Sequence, residues 1–135
     1  MPAPDPAQLV AAMPFAELLG ATVVEATPDR VVVTLTHRPE LCTAGGLLHG
    51  GVLMSLADSA GGLCAFLGLP EGATTATTSS HTVLLRAVRG GTVTATARVA
   101  HRGRRDVVVD TELTDDEGRA VSRTTQTQAV LPPRQ

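Results

Sequence analysis

His49, Gly50, Gly51 and, nine residues after the histidine, Asp58 are the residues of this chain whose types and spacing could do chemistry. The two glycines stand where an apolar helix begins. Their backbone N–H groups are therefore among the unpaired donors of a first helical turn and point at whatever lies beyond it. Lacking side chains, they let a ligand oxygen come close. Such donors stabilise the oxyanion formed when a carbonyl is attacked, one of them being worth roughly 3 kcal/mol of barrier. The same pair serves a tight turn, or close packing of helix on sheet, equally well. Asp58 is the one charged residue of that helix, in its middle, where a carboxylate is costly to bury unless something uses it or satisfies it. A bond tying the helix to a neighbour would satisfy it, as would a reaction.

At about 100° per residue, His49 and Asp58 project from nearly opposite sides of the helix, so one chain cannot easily present both to one cleft. If both function, the simplest geometry is a site shared by two copies, with the loop and helix start from one and the carboxylate from the other. A histidine beside glycines more often fixes a loop by hydrogen bonding than acts as a general base, and the structural role is the one expected here. His37, His81 and His101 form no metal-binding pattern, Cys42 has no evident activating partner, and no Ser-His-Asp spacing stands out. His101-Arg102-Gly103-Arg104-Arg105 is a dense basic cluster in a chain of net charge -2. Arginines there could clamp phosphates, or a solvated turn there could simply keep a sheet edge soluble.

Positioning these residues requires a helix and a sheet. Val52, Leu53, Leu56, Ala60, Leu63, Cys64 and Leu67 recur at three- and four-residue steps, the pattern of a buried helix that ends near Gly68 and Pro70. Residues 6–13 predict a short helix with Asp5 as N-cap and Pro6 at its first position, stopping at Pro14. Phe15, Leu18 and Leu19 then form an apolar patch before Gly20. Residues 22–26 and 30–36 are β-branched runs either side of Thr27-Pro28-Asp29, a first hairpin. Residues 37–48 have turn chemistry and no period, hence a loop. Four further strands are expected at 74–88, 92–100, 107–113 and 120–131, joined as a meander by hairpin-type breaks at Arg89-Gly90-Gly91, Arg102-Gly103 and 114–118. In the second of these, Val93, Ala95, Ala97 and Val99 face one way and Thr92, Thr94, Thr96 and Arg98 the other, so one sheet face is apolar. The class is α+β, one long helix covering an antiparallel sheet, with a short N-terminal helix.

A chain of 135 residues suits one domain, expected over 1–135 with residues 1–5 as a disordered lead. With 11 basic against 13 acidic side chains and 1% aromatics, it offers neither a positive field nor stacking platforms for nucleic acid. The N-terminus lacks the basic start and apolar run of a signal peptide. The apolar run 52–69 is broken by Asp58, two serines and two adjacent glycines, which favours a soluble buried helix over a membrane span. Two cysteines and no metal-ligand cluster fit a reduced, cytoplasmic protein.

The run LLHGGVLMSLADSAGG resembles the HGG-x6-D signature of hotdog-fold acyl-CoA thioesterases of the phenylacetate-pathway (PaaI) type. GGTVTATARVAHRGRR looks like that family's glycine-led strand ending in a basic turn, and TVLLRAV looks like the strand before it. The similarity spans roughly residues 15 to 130. It implies a five- or six-stranded antiparallel sheet wrapped around the long helix, paired into homodimers that usually associate as homotetramers, with the site at the dimer interface. By position, Gly50 would supply the oxyanion N–H beside Gly51, His49 would line the thioester, and Asp58 of the partner copy would be general base or nucleophile. Arg86 would sit in the substrate-binding set, and Arg102, Arg104 and Arg105 near the nucleotide phosphates. The implied reaction is hydrolysis of an aryl- or medium-chain acyl-CoA to free acid and CoA, with no cofactor beyond the CoA of the substrate, no metal, no membrane and no nucleic acid. A non-catalytic acyl-CoA binding or sensing module is the rival reading. Three positions depart from the pattern: Thr43 stands where relatives often place Asn or Gln to hold the attacking water, Gly62 where some have Ser or Thr, and Ala87 follows Arg86 in place of proline. With Phe15 and Phe66 the only aromatics, the acyl pocket would be shaped by Leu, Val, Ala and Met.

Overall fold

The computed structural model describes residues 4–134. Three helices form, α1 (Pro6–Ala11), α2 (Pro14–Leu19) and α3 (Gly50–Leu67), with six strands, β1 (Thr22–Ala26), β2 (Arg30–Thr36), β3 (Thr74–Leu84), β4 (Thr92–Arg102), β5 (Asp106–Thr114) and β6 (Ala120–Leu131). Asp5 caps α1 as expected, its carboxylate accepting from the Ala7 N–H at 3.0 Å. Residue 5 is thus not part of a loose lead, and residues 1–3 of that expected lead lie outside the described residues. Pro14 does not merely stop α1. It opens α2, because the first turn of a helix needs no N–H from that position. Gly20 closes α2 at φ 82, a left-handed conformation that only glycine adopts cheaply.

The strands pair antiparallel in the order β1-β2-β4-β5-β6-β3. The first hairpin forms as the sequence predicts, and β4, β5 and β6 form a meander. The expectation that β3 begins that meander is overturned: β3 pairs with β6, and Arg89-Gly90-Gly91 is part of a crossover rather than a hairpin. The reason is side-chain matching. Val31, Val33 and Leu35 of β2 continue the inward apolar face of Val93, Ala95 and Ala97 on β4, so β2 takes the place beside β4. β3, built mostly of Thr and Ser, goes to the edge, where polar residues on both faces are tolerated.

α3 lies in the curve of this sheet, burying Leu53, Leu56, Ala57, Ala60, Leu63 and Cys64 against Val107, Val109 and Leu113 of β5 and the inner faces of β2 and β4. By length and composition α3 could cross a membrane, yet this side of it is packed inside the protein. Its other side carries Met54, Asp58 and Phe66 and is exposed in the single chain. The helix is therefore buried along one side, the side its three- and four-residue apolar steps mark out. Burial pushes the Cys64 thiol up to about 11, against the pull of the Arg102 guanidinium, which leaves it protonated and inert at neutral pH.

Arginines take up the carbonyls at the C-terminal ends of α2 and α3. Arg38 donates to the Leu18 and Leu19 carbonyls at the end of α2. Arg102 donates to the Ala65 carbonyl at 3.0 Å, to the Pro28 carbonyl at 3.0 Å and to the Cys64 carbonyl at 3.4 Å, closing the end of α3 where a cation also meets the negative pole of the helix. A side chain at Gly68 would collide with this guanidinium. Arg102 thus caps α3 while its side chain stays exposed beside Arg104. Arg102→Met should lower stability by about 1–3 kcal/mol, read as a fall in the urea unfolding midpoint at unchanged m-value.

Candidate active site

The start of α3 is built by the loop before it. Thr43 N–H donates to the Leu47 carbonyl at 2.7 Å, Gly46 N–H returns to the Thr43 carbonyl at 3.0 Å, and Gly45 N–H donates to the Thr43 hydroxyl at 3.3 Å. Cys42 and Leu48 form an isolated antiparallel bridge, and Leu48 N–H reaches the Val88 carbonyl at 2.9 Å. The sequence showed no partner for Cys42, but its Sγ lies 3.1 Å from His37 Nε2. That nitrogen is also 2.9 Å from the Gly46 carbonyl oxygen, which requires it to carry the hydrogen. It therefore cannot take the thiol proton, which goes to the Arg38 carbonyl at 3.3 Å.

His49 is the N-cap of α3, and its Nδ1 accepts from the Gly51 N–H at 2.8 Å. An accepting Nδ1 leaves the imidazole neutral with its hydrogen on Nε2, so His49 fixes the helix start, as expected, and presents one donor outward. The same bond corrects the expectation for Gly51, whose N–H is engaged by His49 and is not available to a ligand. Gly50 N–H has no partner among the described residues. A Cβ at Gly50 would meet the end of the Leu84 side chain at 2.9 Å, so glycine lets Leu84 pack close against the helix start.

Asp58 lies eight residues further on, roughly 12 Å along the helix axis, so one chain does not bring Gly50 and Asp58 together. The carboxylate is not buried in the single chain. Its Oδ1 accepts from Thr77 Oγ1 on β3 and from Gln126 Nε2 on β6, each at 2.9 Å, while Oδ2 has no partner among the described residues. No salt bridge to Asp58 occurs among the described residues. Beside it opens a cavity of about 330 Å³, polar at Asp58, Ser59 and Thr77 and apolar at Met13, Phe15 and Leu63.

The sequence reading missed Thr77, Gln126 and Gln128. A signal existed in Ser122, Thr124, Gln126 and Gln128, polar at every second position of β6. With Arg123, Thr125 and Thr127 between them, that strand has no apolar face, so whichever side meets the helix must be polar. All four are buried. Among the expected substrate-binding arginines, Arg86 stands apart from Arg102, Arg104 and Arg105 in one chain. Arg86 follows β3 in a groove with Arg89, Asp115 and Arg119 at the β5–β6 turn. Arg104 and Arg105 are exposed on the β4–β5 turn, at the opposite end of the sheet.

The family profile described as the thioesterase superfamily matches residues 45–122. A Mycobacterium tuberculosis protein provisionally named an esterase is 36% identical over 126 residues, 90% of each chain. Acyl-coenzyme A thioesterase PaaI of Escherichia coli K12 is 32% identical over 108 residues, 79% of this chain and 75% of that one. Among solved structures, a glutamine-to-alanine mutant of a Pseudomonas aeruginosa thioesterase superposes with a TM-score of 0.91 at 30% identity, covering 97% of this chain and 96% of that chain. The matched residues run from the glycines before His49, through Asp58, to β6, and on this evidence the chain belongs to the thioesterase superfamily, with its hotdog fold.

Proposed function

We propose that this chain hydrolyses acyl-CoA thioesters to free acid and CoA, with Asp58 of one copy working opposite the helix start of a second copy. The observation that carries this reading is the state of the two groups. Asp58 has one oxygen held by two donors and the other unpartnered beside a cavity, and Gly50 offers an unpaired N–H at the positive pole of α3. In the proposed step, Oδ2 of Asp58 accepts a proton from water as the water oxygen attacks the thioester carbonyl. The oxyanion accepts the Gly50 N–H. The C–S bond then breaks, and the CoA sulfur leaves with the proton held by Asp58. Direct attack by Asp58 to give a mixed anhydride, opened afterwards by water, fits the same groups, and oxygen-18 incorporation into the aspartate during one turnover separates the two.

Several features support a second copy. β3 is an eleven-residue edge strand with no partner on its outer side among the described residues, and Val83, Leu84, Leu85 and Met54 near it are 44–52% exposed, a patch that association would cover. A homodimer, with further pairing to a homotetramer, follows from this reading. The cavity beside Asp58 is walled by aliphatic side chains and Phe15, suiting a medium-chain or aryl acyl group. With Arg102 engaged at α3, Arg104 and Arg105 remain for the nucleotide phosphates, Thr43 stands near the helix start where relatives hold water, and the setting is cytoplasmic.

Asp58→Asn should cut thiol release from acyl-CoA, followed with a chromogenic thiol reagent, by about a hundredfold or more while the circular dichroism spectrum stays unchanged. Wild-type rates in that variant, or CoA-ester binding by the native protein without thiol release, would end the hydrolytic reading. The pair Arg104→Ala and Arg105→Ala should raise KM for acyl-CoA and leave it unchanged for an acyl thioester of N-acetylcysteamine, which has no phosphates.

A further inference from the structure

We infer that Gln126 is a positioning residue that, together with Thr77, fixes which oxygen of Asp58 reacts; the inference rests on the hydrolytic reading above and goes beyond it. Gln126 is 0% exposed, on the inward side of β6, and its amide passes beneath α3 at Gly61, where any side chain would collide with the amide oxygen. Its Nε2 donates to Asp58 Oδ1 at 2.9 Å. The opposite amide orientation would set Oε1 against the carboxylate, so the N–H must face the acid.

A second donor reaches the same oxygen with its direction fixed. Gln128, 1% exposed, donates Nε2–H to Thr77 Oγ1 at 2.6 Å, and Thr77 then gives its hydroxyl hydrogen to Asp58 Oδ1 at 2.9 Å. Gln128 Oε1 lies 3.2 Å from Thr75 Oγ1, whose one hydrogen it shares with the Ala129 carbonyl at 2.9 Å. Both bonds converge on Oδ1, so the carboxylate cannot rotate without losing them, and Oδ2 is the oxygen left to take a proton or attack.

What Gln126 does for stability runs the other way. Its Oε1 is buried without a partner among the described residues. A buried, unpaired amide oxygen destabilises a fold. The residue therefore opposes folding at one end of its amide and serves Asp58 at the other, and the two effects can be measured apart.

Gln126→Met keeps the shape and removes both polar atoms. The expected result is a urea midpoint equal to or above wild type, an unchanged KM, and a kcat lower by roughly ten- to a hundredfold. Gly61→Ala, which leaves Gln126 in the sequence but displaces its amide, should lower kcat in the same way with helix content retained. In the background of Asp58→Asn, adding Gln126→Met should slow the residual rate no further. Wild-type kcat in Gln126→Met, beside an inactive Asp58→Asn, overturns the role of Gln126 alone. A joint fall of stability, kcat and substrate affinity in both Gln126→Met and Gly61→Ala would make Gln126 a structural residue and also overturn it. An active Asp58→Asn removes the hydrolytic reading and this inference with it.

Discussion

The close approach of α3 to the sheet is the constraint on which the rest of the structure depends. Between the buried Leu53, Leu56 and Leu63, the small residues Ala57, Ala60, Gly61 and Cys64 let the helix backbone come close to β5 and β6 at Gly61. Had large side chains stood there, the helix would ride higher and Asp58 would lie beyond the reach of β3 and β6. The seat is apolar over most of its area. It turns polar beneath Gly61, where Thr111, Thr124, Gln126 and Gln128 face inward. A low seat that is part oil and part amide lets one helix be packed firmly and still present a carboxylate whose orientation is fixed by the sheet.

The two ends of α3 are treated unequally, and the asymmetry has chemical meaning. At the far end Arg102 takes up the terminal carbonyls, and the negative pole is neutralised. At the near end His49 satisfies one N–H and leaves that of Gly50 open. The positive pole of an eighteen-residue helix is thus focused on a single donor. An arrangement made only for stability would cap both ends, since an orphan N–H gains nothing for the fold.

β3 joins these parts to a prospective partner. Its inner edge bonds to β6, its Thr77 hydroxyl reaches Asp58, and Leu84 at its end lies against Gly50. One strand therefore touches both groups of the proposed site while its outer edge stays unpaired. A chain added to that edge would approach the acid and the helix start together, as the proposed shared site requires.

Much of this was legible in the residues themselves. The period of the apolar positions determined α3, the alternation in residues 92–99 determined an inward apolar face, Asp5-Pro6 determined the start of α1, and the spacing of His49 from Asp58 determined that the two project apart. These are local properties, set by backbone sterics and side-chain period within a few residues. What tertiary structure alone decided lies between residues distant in sequence. Gln126 meets Asp58 across 68 residues and Arg102 meets Ala65 across 37, and neither pairing leaves a mark in local pattern. The place of β3 was likewise settled by which strand faces matched once the sheet had assembled. A polar β6 could be read, but not what it faced. That depended on how closely the glycine at 61 lets the helix approach the curve of the sheet.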